Sequence, residues 1–190
     1  MRSHLHHRQS RHRCGYTLIE LLIVVGLLGL AASVLIPYMV GRSGLETQSA
    51  VRHVIADISF AQADAISHQE YRRVYFFEDG RGYCIIRVGS NFDAEFDPDT
   101  ADYVYDPLGQ LGKYIVDFAA DKRYEHVSIQ SANFDNNQRY LTFDQTGGTV
   151  MTGGTPGTGG SIIVHSDEVS YRIDVEPFTG QMRVTRLVTE

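Results

Sequence analysis

One carboxylate stands where a carboxylate is expensive. Glu20 is followed, from Leu21 to Val40, by twenty residues without a charged side chain. An ionisable group at the edge of such a run has a partner, has a function, or reaches back toward water along its own stem. Four residues before it stands Tyr16, preceded by Gly15 and a leader, 1–15, that holds Arg2, Arg8, Arg11 and Arg13, four histidines and no acid. No other group in the chain combines charge, isolation and an apolar setting in this way.

The remaining candidates for chemistry each meet a plainer account. Asp93, Glu95, Asp97, Asp99 and Asp102 place five carboxylates within ten residues. That density makes them calcium candidates, since calcium takes six to eight oxygens, but the mid-loop Gly and terminal Glu of an EF-hand are missing. A solvated acidic loop is the reading preferred, and no other metal or cofactor is expected. His165, Ser166 and Asp167 are triad residue types, yet adjacency in sequence does not make triad geometry, and a turn between strands explains them. The glycine-dense run 147–160 lacks the Lys-Ser/Thr of a phosphate-binding loop and reads as a long flexible hairpin loop. Cys84, beside Ile85 and Ile86, reads as core, and His4, His6, His7 and His12 as a solvated leader. No catalytic constellation survives, so the chain is not read as an enzyme and no small-molecule substrate is implied.

These residues must be carried by a small number of elements. The chain has 190 residues, enough for one compact domain and a helical tail. Twenty apolar residues in a helix rise about 30 Å, the thickness of a bilayer core. The arginine-rich leader then marks the cytoplasmic side, with the C-terminal body exported across the membrane in a single pass. A cleaved secretory signal fits poorly, because Ile36-Pro37-Tyr38 leads into polar helical sequence instead of a small-residue cut site. Beyond it Val51, Val54, Ile55, Ile58, Ala61 and Ala65 recur at helical spacing, with Arg52, Asp57, Gln62 and Gln69 elsewhere around the helix. The helix is expected from about 17 to 69, weakened near Pro37 and Gly41.

From Arg72 the apolar spacing shortens. Val74 to Phe77 and Tyr83 to Val88 flank Asp79-Gly80-Arg81-Gly82, a hairpin signal. Further strands are expected at 114–118, 126–130, 140–143, 161–165, 169–175 and 182–188, and most alternate, which predicts antiparallel sheets. After the leader, 13 basic side chains face 23 acidic ones. A body this acidic repels phosphate backbones and argues against nucleic acid as a partner.

The run Gly15-Tyr16-Thr17-Leu18-Ile19-Glu20-Leu21-Leu22-Ile23-Val24-Val25 resembles the signal of type IV prepilins and type II secretion pseudopilins. The resemblance implies that a prepilin peptidase cuts between Gly15 and Tyr16 and that the new amine of Tyr16 is methylated. It implies that Glu20, Leu21 and Leu22 serve assembly with other pilin or pseudopilin subunits, and that Gly29 and Pro37 mark a segment that bends or melts in a filament. A second resemblance, to GspH-type pseudopilins and FimT-type pilins, lies in Tyr140 to Gly147, Ser161 to Val164, Tyr171 to Val175 and Thr179 to Val184. A departure stands at Ala61-Gln62-Ala63-Asp64-Ala65, where that family often has Ala-Arg.

The expected fold is therefore α+β and type IV pilin-like: leader 1–15, transmembrane and assembly helix 16–40, amphipathic helix 41–70, and β-rich head 71–190. The expected function is that of a minor pseudopilin in a periplasmic pseudopilus supporting protein export. The alternatives are a minor pilin of a type IV pilus, in priming or DNA uptake, and an exported binding domain on an uncleaved signal anchor.

Overall fold

The computed structural model describes residues 16–40, 42–89 and 95–187, with side chains described outside 34–43. The chain divides into two units, Met1–Val40 and Gly41–Glu190.

The described part of the first unit is helix α1, Leu18–Val40. Thr17 caps it: its hydroxyl accepts from the Glu20 backbone N–H at 3.3 Å, and its carbonyl accepts from Leu21 N–H at 3.1 Å. A hydroxyl at this position satisfies one of the donors that a helix start leaves open. The helix runs through Pro37 to Val40.

The second unit opens with helix α2, Arg42–His68. Residue 41, one of the two positions where weakening is expected, lies outside the described residues. The apolar stripe lands where its spacing places it: Val54, Ile58, Ala61 and Ala65 are fully buried, Val51 is nearly so, and Ile55 is half-buried at the rim of the same core. Burying each Val or Ile of such a stripe is worth about 1.5–3 kcal/mol.

Among the described residues, nine strands follow. Five form one sheet in the order β3–β2–β1–β5–β6, and four form a second in the order β4–β7–β8–β9. Every pairing is antiparallel. The first sheet holds β1 (Tyr71–Phe76), β2 (Gly82–Val88), β3 (Ile115–Asp117), β5 (Tyr140–Phe143) and β6 (Thr149–Val150). The second holds β4 (Ser128–Phe134), β7 (Gly160–His165), β8 (Ser170–Val175) and β9 (Met182–Leu187). Helix α2 packs against β1 and β5 of one sheet and β7 and β8 of the other. Its stripe therefore closes a single core that both sheets share.

The β1–β2 hairpin pairs Val74 with Ile85 and Phe76 with Tyr83. Its tip needs glycine, because Gly80 has φ of +71° and a side chain there would meet the Ile129 carbonyl oxygen at 2.6 Å. The Gly80 carbonyl accepts from Ile129 N–H at 2.8 Å, which ties the tip of the first sheet to β4 of the second.

Two expectations require correction. The glycine-dense run is not a hairpin loop: Thr149–Val150 pair with β5, and the chain then crosses from the first sheet to β7 of the second. Two residues are too few to give an alternation, so β6 leaves no periodic trace in the sequence. Asp57 is also not on a wet face of α2, being only 5% exposed.

Candidate assembly site

Of the expected processing pair, Gly15 lies outside the described residues, while Tyr16 is exposed at the start of α1. Glu20 sits in the first helical turn, where a carboxylate is favoured by the positive end of the helix dipole. Leu21 and Leu22 follow it, and Gly29 lies two turns further on, with nothing of the chain within 4 Å of where its side chain would be. Pro37 is inside the helix, with its side chain outside the described set.

The large apolar side chains from Tyr16 to Leu30 are 47% to 83% exposed. Apolar residues occur all round this helix, so no single face could be satisfied by one packed sheet. Among the described residues, no helix is long and apolar enough to cross a membrane.

The head contains two polar arrangements that periodicity did not reveal. In the first, the hydroxyls of Tyr83 and Tyr114 donate to the Asp57 carboxylate at 2.6 and 2.9 Å, and His53 Nε2 lies 3.5 Å from it. Burial raises the Asp57 carboxyl above its ordinary value, against the opposing pull of the Tyr83 hydrogen bond, the His53 charge and the Tyr114 hydrogen bond. Tyr83, fully buried beside that carboxylate, is pushed well above the usual phenol range. The group is a buried polar brace joining α2 to β2 and to the residue before β3. The signal that could have exposed it is Asp57 itself, which falls between Val54 and Ile58 on the apolar side of the helix.

In the second, Gln62 donates from its amide nitrogen to the carbonyls of Gly147 at 2.7 Å and Thr179 at 2.8 Å. One α2 side chain therefore holds both the β5–β6 turn and the β8–β9 turn. Nearby, Arg72 is buried and pairs with Asp64 and with Glu70, the latter at 2.9 Å. Gln62 and Asp64 are the residues at the expected departure from Ala-Arg, and both have structural tasks.

The other candidates are dispersed. Asp93 lies outside the described residues. Asp97 accepts from Asp99 N–H and the Thr100 hydroxyl at 3.0 and 2.8 Å, and the Asp99 hydrogen bond leads in holding its carboxyl below the ordinary value. Asp102 pairs with Arg87 at 2.9 Å. Among the described residues no three His, Cys, Asp or Glu side chains converge to hold a metal ion.

His165 Nδ1 meets Ser170 Oγ at 2.8 Å, while Ser166 accepts from the Thr47 hydroxyl at 2.8 Å and faces the Val169 carbonyl. His165 and Ser166 thus serve separate contacts and are not paired with each other. Cys84 is buried, and burial pushes its thiol up to about 12, which leaves it protonated and unreactive at neutral pH.

Comparison with known proteins bears on the two ends of this description differently. Two solved structures are similar in part: the minor pseudopilin EpsH from the type 2 secretion system of Vibrio cholerae, at 11% identity and a TM-score of 0.45, covering 76% of this chain and 97% of that one; and the type IV minor pilin FimU of Pseudomonas aeruginosa, at 14% identity and a TM-score of 0.42, covering 73% and 91%. The pilin-like protein PilA1 of Thermus thermophilus is 29% identical over 86 residues, which make up 45% of this chain and 54% of that protein. The chain thus spans about half the length of that curated relative. Residues 10–36 match the prokaryotic N-terminal methylation motif.

Proposed function

We propose that this chain is a filament subunit of the pilin and pseudopilin type, cut between Gly15 and Tyr16, methylated at Tyr16, and assembled through α1. The observation that carries the reading is the methylation motif over residues 10–36, set on a helix whose described large apolar side chains, from Tyr16 to Leu30, are exposed. Before assembly that surface is stored in the inner membrane, with the leader cytoplasmic and the head periplasmic. In the filament, neighbouring α1 helices replace lipid. Glu20 then acts through charge: cleavage creates an ammonium group at Tyr16, and the Glu20 carboxylate of an adjacent subunit neutralises it where both leave water. A buried ion pair that loses one member is strongly destabilised, by about 3–5 kcal/mol, so the pair sets register instead of merely adding cohesion.

The finer assignment is a minor pseudopilin of a type II secretion system, supported by the excess of acidic side chains after the leader. The similarity to a pilin-like protein favours a second reading, a minor pilin of a type IV pilus. The intact mass of the mature protein tests the shared reading: loss of residues 1–15 with one added methyl group is expected, and retention of the leader overturns it. Deleting the gene and measuring exported protein beside surface pili separates the two machines. Lost export with intact pili supports the pseudopilin; lost pili with intact export moves the chain to the pilus.

A further inference from the structure

A cleft of about 810 Å³ opens between β1 and β5 of the first sheet and β4 and β7 of the second. That is within the size range of ordinary ligand sites, about 300–1,000 Å³. It is remote in sequence from the assembly helix, and none of the contacts described above accounts for it.

One wall is aromatic. Phe96 stacks on Tyr75 with ring centroids 4.1 Å apart, and Tyr75 lies beside Tyr140, its cross-strand neighbour, with planes only 20° apart. The guanidinium of Arg73 covers the Tyr140 ring at 4.0 Å. The facing wall is neutral and polar, built from Ser131 and Asn133 of β4 with Asn137 and Gln138 of the turn that follows. Among the described residues, none of these four side chains hydrogen-bonds to another group of the chain. Each amide presents two donors and an acceptor, and each hydroxyl one donor with acceptor capacity.

The charges around the cleft balance. Arg73 and Arg139 are matched by Glu78 and Glu95. Both guanidiniums are also committed elsewhere: Arg139 to the Phe77 carbonyl at 2.7 Å, and Arg73 to the Thr142 hydroxyl at 3.0 Å. A phosphate-rich ligand would find no uncommitted cation. An apolar ligand would cover the amides without pairing them, at about 1–3 kcal/mol for each group left unsatisfied.

We infer that this cleft binds a neutral oligosaccharide, whose hydroxyls pair with Asn133, Asn137, Gln138 and Ser131 while its C–H faces lie on the rings of Tyr75, Phe96 and Tyr140. Amides and hydroxyls opposite aromatic faces answer both surfaces of a sugar ring, polar at its rim and apolar on its flat sides. The inference rests on the head alone and is independent of how the chain is processed or assembled.

The test uses the full chain in a micelle of lauryldimethylamine oxide, whose headgroup contains no sugar. Chitotetraose, maltotetraose and a Ser/Val octapeptide are titrated separately by calorimetry. Saturable binding of at least one tetrasaccharide is expected, weakened about ten-fold or more, equivalent to about 1.4 kcal/mol, by Asn133→Ala and by Tyr75→Ala. Asn133 is exposed, so its variant should melt at the parent temperature, which separates loss of binding from loss of fold. Absence of binding by both sugars, equal affinity in the Asn133→Ala and Gln138→Ala variants, or binding of the octapeptide alone would overturn the inference.

Discussion

Helices α1 and α2, of similar length, treat their apolar residues in opposite ways. Along α2 the apolar positions occupy one stripe, and Val54, Ile58, Ala61 and Ala65 are sealed from solvent by both sheets. Along α1 apolar residues occur on every side, and those described from Tyr16 to Leu30 stay exposed. The difference teaches what each helix is built to meet. A stripe finishes a core within one chain, whereas an all-round apolar surface requires lipid or several neighbours at once. Glu20 belongs to the second kind of helix, and the task proposed for it lies outside the chain.

Substitutions can break that contrast. The largest effect is expected for Glu20→Ala, which should be processed normally yet nearly absent from isolated filaments in an immunoblot, while leaving the melting curve of the head unchanged. Normal incorporation would remove Glu20 from its assigned task. In α2 the expectation is inverted: Ile58→Ala should cost about 2–5 kcal/mol of head stability through transfer and cavity terms, read by urea denaturation. Leu21→Ala, at an exposed position, should cost the head nothing.

Gln62→Ala should follow at about 1–3 kcal/mol, because the Gly147 and Thr179 carbonyls lose a shared donor. Amide exchange should then accelerate in both turns together, since one side chain holds both; acceleration in one turn alone would break the linkage. The smallest effect concerns Asp57. Its carboxyl is raised in the fold above the ordinary 3.8, so the folded state holds that proton more tightly than the unfolded chain does. The stability it contributes is complete below the unfolded value and is lost as pH rises through the folded one. Asp57→Asn should therefore gain on the parent as pH rises from about 4 through the folded value and then hold a constant advantage, measured by paired denaturation series. A constant difference across that range would contradict the raised carboxyl.

Much of the head is legible because its elements repeat. Tyr140–Phe143 is a strand where the sequence reading places it, and β7, β8 and β9 begin or end within a residue of their expected bounds. The hairpin around Gly80 is legible for a different reason: Asp-Gly-Arg-Gly between two β-branched and aromatic runs leaves the backbone few alternatives. Strand β4 is displaced, Ser128–Phe134 against an expected 126–130, and carries a bulge between Ile129 and Ser131. A bulge breaks the period of two on which the strand signal depends.

Helix α1 and its lone carboxylate are determined by the sequence itself, because charge, apolarity and a basic leader are local properties that need no fold to be read. The same holds for the stripe of α2 and for the antiparallel character of the sheets. Only the tertiary structure decided that Asp57 is buried between two tyrosine hydroxyls, that Gln62 joins turns 32 residues apart in sequence, Gly147 and Thr179, and that the glycine-dense run crosses between sheets. Each depends on residues distant in the chain meeting at a fixed distance. A pattern along the sequence records which face of an element is apolar, but not which polar groups the packing of two sheets and a helix will force into contact.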